Sequence, residues 1–152
     1  MHGFWVFVHV LGFVLWLGAG LATMVLGVAA KNFAPDTRLA SYRLTSAIQR
    51  ILLGPGAVAV VISGVVLSGP YLSEGVVPGW LMLMMATGIP AALIALAVTV
   101  PTAARLGRLE VDPRGELPEV FTGLRKRLVV TASVSGGLAL VALIAGTVLK
   151  GS

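Results

Sequence analysis

Residues 4–30 of the chain read FWVFVHVLGFVLWLGAGLATMVLGVAA and contain no Asp, Glu, Lys or Arg. About 20 consecutive apolar residues are enough for a helix to cross a hydrocarbon core roughly 30 Å thick. Lipid offers no partner to backbone polar groups, so an apolar run of this length must be helical if it spans a membrane. A cleaved signal peptide is the alternative, but this run is longer than a signal core and has no basic start. The stretch therefore predicts a first transmembrane helix.

Three further apolar stretches follow, at residues 47–69, 79–100 and 128–149. Across the chain, 57% of residues are hydrophobic and only 11% are charged, whereas a soluble domain has about 25% charged residues. Most of the exterior is therefore expected to contact the lipid bilayer. The sequence predicts an all-α, polytopic membrane protein: one domain, residues 1–152, folded as a bundle of four transmembrane helices at 4–30, 47–69, 79–100 and 128–149.

The basic residues are unevenly distributed between the connections. Of the eleven Lys and Arg residues, ten lie beside or within two connections: Lys31, Arg38, Arg43, Arg50, Arg105, Arg108, Arg114, Arg125, Lys126 and Arg127. The positive-inside rule places loops 31–46 and 101–127 in the cytoplasm and both termini outside, in a multi-pass protein of the cell inner membrane. The net charge of +5 thus reports topology. Anionic lipid headgroups are the expected partners of these residues, and nucleic-acid binding is not expected.

Proline interrupts two of the apolar stretches. Gly54-Pro55-Gly56 lies inside the second and Pro90 lies midway along the third. Each is expected to kink its helix or loosen a turn. The distortion can serve helix packing alone, or it can open space for a cofactor.

His9 is the only histidine within a predicted span. An imidazole is costly to expose to lipid, so the side chain should face the bundle interior. It can be a haem or copper ligand or only a structural hydrogen-bonding group. Gly12 and Trp16 share its helical face. Small residues there would let a flat macrocycle lie against the helix, or let another helix approach closely.

Methionines open the third stretch, which begins at the same side of the membrane as the first. Met82 and Met84 therefore lie at a depth similar to that of His9. Imidazole with thioether is an axial pair for haem, and the same pair suits Cu(I), although methionine is also an ordinary core residue. The chain has no cysteine, and no carboxylate lies within a predicted span. This argues against thiol chemistry and against ion pumps that use buried acids.

The motif His9-Val10-Leu11-Gly12, followed by Leu15-Trp16-Leu17-Gly18, resembles the first helix of small four-helix bacterial membrane proteins allied to CopD (copper resistance) and HemJ. The chain is most similar to an uncharacterised branch of that group. Pro55-Gly56 with Gly64 and the basic run Arg125-Lys126-Arg127 also resemble it.

The resemblance implies a bundle that binds b-type haem, with His9 matching the proposed haem ligand of HemJ. HemJ oxidises protoporphyrinogen and has a lysine shortly after a tryptophan in its third helix. Here Trp80 is followed by Leu81 and Met82 and then by further apolar residues, without a lysine, which argues against that activity. The CopD side of the resemblance implies copper handling by His9 and the methionines.

The sequence therefore favours a small membrane protein that binds haem b and has an electron-transfer or redox role. The expected cofactor site comprises His9, Met84, Met82, Gly12 and Trp16, with His9 and Met84 as metal ligands. Copper handling is one alternative. A cofactor-free structural or assembly subunit, present as a homo-oligomer or in a larger membrane complex, is the other.

Overall fold

A computed structural model describes residues 1–150. Six α-helices occur in chain order: α1 (His2–Ala29), α2 (Pro35–Ile48), α3 (Gly54–Ser73), α4 (Gly79–Ile94), α5 (Val100–Leu106) and α6 (Val120–Ile144). A 3₁₀ turn covers Ala30–Asn32, and π-helical turns cover Gln49–Leu53, Ala95–Thr99 and Ala145–Leu149. This part of the chain contains no β-strand, so the predicted all-α class is confirmed.

The helices and turns join into four continuous apolar helices, called here the first to fourth spans. They cover His2–Asn32, Pro35–Ser73, Gly79–Leu106 and Val120–Leu149. At 28 to 39 residues, each exceeds the roughly 20 residues that a bilayer requires. Side chains such as Phe7, Val14 and Met24 are exposed on the outside of the bundle, as a lipid-facing surface requires. The chain is therefore a multi-pass membrane protein, while its orientation stays a prediction.

Two spans begin well before the predicted apolar stretches. The second begins at Pro35 and the fourth at Val120, well before residues 47 and 128. Pro35 occupies the first turn of α2, where its fixed φ suits a helix start, and Asp36 lies beside the positive end of the helix dipole. Much of the basic connection 31–46 is therefore helical and continues the second span beyond its apolar part.

Two of the three π-turns precede a proline by two residues. Pro55 follows Gln49–Leu53, and Pro101 follows Ala95–Thr99. A proline ring clashes with the carbonyl four residues earlier, and that carbonyl belongs to the π-turn in both cases. The wider π-turn accommodates the ring. The loosened turn expected at Gly54-Pro55-Gly56 thus lies immediately before it, whereas α4 continues through Pro90.

The core within the spans is built from small residues and a few aromatic ones. Helix α1 packs mainly on α3, and α4 packs on α6. A Cβ added to Gly12 would lie 2.8 Å from the Gly56 carbonyl oxygen, and one added to Gly56 would lie 2.8 Å from the Gly12 carbonyl oxygen. The two backbones can be this close because neither residue has a side chain.

A second hydrophobic cluster lies where α2, α5 and the start of α6 meet. Its buried members are Leu39, Tyr42, Ala103, Leu106, Phe121 and Leu128. Partly buried side chains of the 107–119 connection, Leu109, Val111 and Leu117, pack on it. Both basic connections therefore lie together at one end of the bundle, called here the basic end. The opposite end, which carries Tyr71 and Trp80, is called the aromatic end.

Candidate functional site

His9 lies on α1 about two turns from the aromatic end and faces α3. Its Nδ1 is 2.9 Å from the Ser63 hydroxyl oxygen. A Cβ at Gly64 would be 3.3 Å from Cε1 of the same imidazole, so the glycine at residue 64 lets the ring lie close against α3. The Val60 carbonyl is a further acceptor beside the ring. His9 thus joins the first and second spans, as the structural interpretation of this residue requires.

The direction of the His9–Ser63 hydrogen bond follows from proton counting. A serine hydroxyl has one proton, and Ser63 donates it to the backbone carbonyls of Ala59 and Val60. With that proton on its own helix, the Ser63 oxygen accepts from His9 in the tautomer that carries the imidazole proton on Nδ1. Nε2 then carries the lone pair. This is the arrangement in which a histidine can ligate a metal through Nε2 while its other nitrogen is held by the protein.

A cavity of about 520 Å³ extends from His9 towards the aromatic end and is lined by all four spans. Small-molecule sites commonly measure 300–1,000 Å³. Its walls are mostly apolar, with Val10 and Leu17 from the first span and Leu143 and Gly146 from the fourth. A smaller cavity of about 50 Å³ adjoins it beside Val61 and Gly88. His9 lines both cavities.

Met84 is the methionine that the structure brings to this site, because it lines both cavities together with His9. Its sulfur rests against the fourth span, 3.0 Å from the position of a Cβ at Gly146. Met82 is 60% exposed and lines neither cavity. Of the two methionines predicted as ligands, Met84 therefore shares a site with His9, and Met82 faces the outside of the bundle.

Gly12 and Trp16 lie deeper and do not line the cavities. Gly12 forms the close approach to Gly56 described above. Trp16 is 2% exposed in the core and stacks on Phe13 with ring centroids 6.1 Å apart. Phe13 in turn contacts His9 edge to face at 5.3 Å. The stripe of small and aromatic residues on α1 thus serves close helix packing at Gly12 and supports the histidine through Phe13.

Polar side chains surround the cavity at the aromatic end. His2, Tyr71, Trp80 and Lys150 line it there. Trp80 contacts the Tyr71 ring edge to face at 5.6 Å, and the Lys150 ammonium lies 5.3 Å above the Trp80 ring. The cavity therefore has an apolar body with His9 at its inner part and a polar, cationic outer rim.

Sequence reasoning did not assign Ser63, Gly64 or Lys150 to the site, and it named Gly64 only as part of the family resemblance. Ser63 lies among apolar residues, where a hydroxyl often bonds only its own helix, so its partner depends on how α1 and α3 pack. Lys150 is the single basic residue of the sequence outside the two basic connections. That isolated position could have marked Lys150 as a functional residue.

Two other features of residues 1–150 bear on cofactors. No three His, Asp or Glu side chains cluster as a metal site would require, so any metal would depend on His9 with a thioether or with ligands of its own. Gln49 is 1% exposed, and its Oε1 has no partner in the described chain. It belongs to the first π-turn and lines neither cavity near His9.

The fold and the site define a four-span membrane bundle with a histidine at the inner part of an apolar cavity. Comparison with protein-family models, with curated proteins and with solved structures found no match. The residues that line the cavity are therefore the evidence for what it binds.

Proposed function

We propose that the protein binds b-type haem in the His9 cavity and acts as a small electron-transfer component of a bacterial inner membrane. The observation that carries the proposal is the hydrogen bond between His9 and Ser63 at the inner part of the cavity. In the tautomer that donates from Nδ1 to Ser63, the Nε2 lone pair is available for iron. Histidine is a common axial ligand of haem iron.

The surroundings of His9 fit a tetrapyrrole. The 520 Å³ cavity has valine, leucine and glycine walls, which suit an apolar macrocycle. Met84 lines the same cavity and supplies a thioether that can serve as the second axial ligand or as an apolar contact. When bound, haem would supply one-electron chemistry. The chain would orient the ligand through His9 and exclude water with its apolar walls.

The test is an optical spectrum of protein purified after expression with sufficient haem. We expect a Soret band in wild type and in His2→Ala, and its loss in His9→Gly. Added imidazole should restore the band in His9→Gly, because the free ring can enter the space vacated by the side chain. A wild-type sample that stays colourless after reconstitution with haem contradicts the proposal and favours the cofactor-free assembly subunit.

Copper handling is the second candidate, because an imidazole and a thioether line the same two cavities. Both are ligands that suit Cu(I). Titration against a Cu(I) chelator should then show weaker binding in Met84→Leu, which conserves volume, and unchanged binding in Met82→Leu. Equal affinities in wild type and both variants would exclude Met84 as a copper ligand.

The orientation of the chain is part of the same proposal, with the termini outside and the connections 31–46 and 101–127 in the cytoplasm. The sequence has no cysteine, so single cysteines can report sidedness without a background. A membrane-impermeant maleimide should label Ser73→Cys in intact cells and should label Glu116→Cys only after lysis. The reverse pattern would contradict the orientation and place the His9 cavity on the cytoplasmic side.

A further inference from the structure

The outer rim of the His9 cavity carries a positive charge, in contrast to the apolar walls. Lys150 lines the cavity, and no Asp or Glu is among the lining residues. Within residues 1–150, the one recorded partner of its ammonium group is the Trp80 ring. A cation at the edge of an apolar cavity, with no carboxylate among the described residues that line it, is a site where an anionic group gains a charge-assisted hydrogen bond.

The rim is also held in place by aromatic contacts. Trp80 begins the third span as the second residue of α4, and its ring lies between Tyr71 and Lys150. A cation above a tryptophan face is stabilised by the ring quadrupole, so Lys150 is retained beside the cavity. His2 and the Tyr71 side chain line the same rim and add further polar groups to it.

The depth of the cavity separates the rim from the metal-binding nitrogen. His2 on the rim and His9 are seven residues apart on α1, which is about 10 Å at a helical rise of about 1.5 Å per residue. An occupant of the cavity therefore contacts a neutral imidazole at its inner part and a cation at its outer edge. It needs an apolar body with negative charge on one edge only.

We infer that the cavity selects ligands with carboxylates on one edge, and that Lys150 binds the propionates of the haem while His9 faces the iron. The inference rests on the proposed haem function and adds to it the orientation of the ligand and the group that sets it. Lys150 is thus a positioning and affinity residue at the rim.

The experiment compares two probes, iron protoporphyrin IX and its dimethyl ester, in spectrophotometric titrations of purified protein. The ester has the same macrocycle and iron but no negative charge at the propionates. Lys150→Gln should weaken binding of the free acid by about two- to fivefold, as expected for a partly exposed charge pair, and should leave binding of the ester unchanged. Lys150→Arg should retain the affinity of wild type for the acid.

Lys126→Gln is the matched control, because Lys126 is an exposed lysine at the basic end. It should leave both titrations unchanged. If wild type binds both porphyrins and Lys150→Gln changes neither, or weakens both equally, the inference is wrong and the haem proposal stands. If wild type binds neither porphyrin, the haem proposal fails and the inference fails with it.

Discussion

The two ends of the bundle are built differently although the same four spans connect them. At the basic end, side chains fill the space between helices: the Tyr42 and Phe121 rings meet edge to face at 5.4 Å, and Arg125 Nε donates to the Tyr42 hydroxyl at 3.1 Å. Arg38 also lies 5.0 Å above the Phe121 ring. At the aromatic end the spans diverge around the 520 Å³ cavity.

The packed basic end therefore stabilises the fold, and the aromatic end contains the cavity that is available for binding. The basic end has its own hydrophobic cluster and the contact of Arg38 with the Phe121 ring, so it can hold the spans together while the other end leaves space for a ligand. We therefore expect substitutions at the basic end and at the central helix crossing to change stability. Substitutions near His9 should change binding instead.

The largest effect should come from the helix crossing between the two ends. In Gly56→Leu the new side chain would meet the Gly12 carbonyl and the Trp16 amide nitrogen, which lie 2.8 and 2.9 Å from the Cβ position. Backbone atoms on both helices cannot move aside separately, so we expect a loss at or beyond the upper end of the roughly 1–3 kcal/mol of overpacked cores. Little folded monomer should be recovered by gel filtration in detergent.

Gly20→Ala is the control for that variant, because Gly20 also lies on α1 but has no atom within 4 Å of its Cβ position. It should elute and melt as wild type does. A Gly56→Leu protein that remains monomeric with an unchanged melting temperature would show that the first two spans cross elsewhere.

Phe121→Ala should have the next largest effect and should separate the two ends. Phe121 is 3% exposed and packs against Tyr42 and Arg38. Removing a buried phenyl ring leaves a void and costs about 3 kcal/mol, the lower end of measured Phe→Ala values. Thermal unfolding in detergent measures the loss, with the lipid-facing Phe7→Ala as control.

Below its melting temperature, Phe121→Ala should bind haem with the affinity of wild type, because the ring is remote from the His9 cavity. A parallel loss of haem affinity and of stability would show that the two ends are coupled, in contrast to the separation argued here.

The sequence was sufficient for the four spans because hydrocarbon imposes a minimum apolar length and a helical backbone on each. It was less informative about where helices end. Residues 35–46 are polar enough to read as a loop, yet Leu39 and Tyr42 are buried on one face of α2. The partner for that face comes from Phe121, nearly 80 residues later, and no local pattern predicts it.

The candidate site shows the same limit. Depth alone predicted that His9 and the methionines lie near each other, and the structure does bring Met84 to the cavity. Depth does not determine helix rotation, so it did not distinguish Met84 from the exposed Met82. The position of Gly12 on the face of His9 was compatible with a cofactor or with a neighbouring helix. The residue opposite Gly12 is Gly56 of α3, so Gly12 contacts a neighbouring helix.

Ser63→Ala tests the aromatic end with a smaller change. Without the hydroxyl, His9 loses the acceptor that fixes its Nδ1 proton, and both tautomers become accessible. Loss of such a supporting hydrogen bond typically lowers affinity 10- to 100-fold, and we expect about tenfold weaker haem binding with little change in melting temperature. The spectrum should broaden because the ring orientation is less defined.

Ser68→Ala is the matched control for the hydroxyl. Ser68 lines the same cavity, but its side chain donates to the Val65 carbonyl of its own helix at 3.0 Å. Its haem titration should be unchanged. Equal effects of both serine variants would mean that cavity polarity matters and that the His9 tautomer does not.

Ser135→Ala should have the smallest effect, because its hydrogen bond belongs to neither end. Ser135, midway along α6, donates to the Ala91 carbonyl of α4 at 2.9 Å and is buried. Hydrogen bonds between membrane helices average about 0.6 kcal/mol, since the separated helices also find partners. The Ala91 carbonyl still accepts a hydrogen bond from the Ala95 amide within its own helix, so no buried group is left unpaired.

We expect the melting temperature of Ser135→Ala to be one or two degrees below that of wild type. The melting temperature of Ser73→Ala should be unchanged, because the Ser73 hydroxyl bonds only its own helix. A loss as large as that in Phe121→Ala would instead mean that the third and fourth spans depend on this single contact, and stability would then reside in the centre of the bundle and not at its basic end.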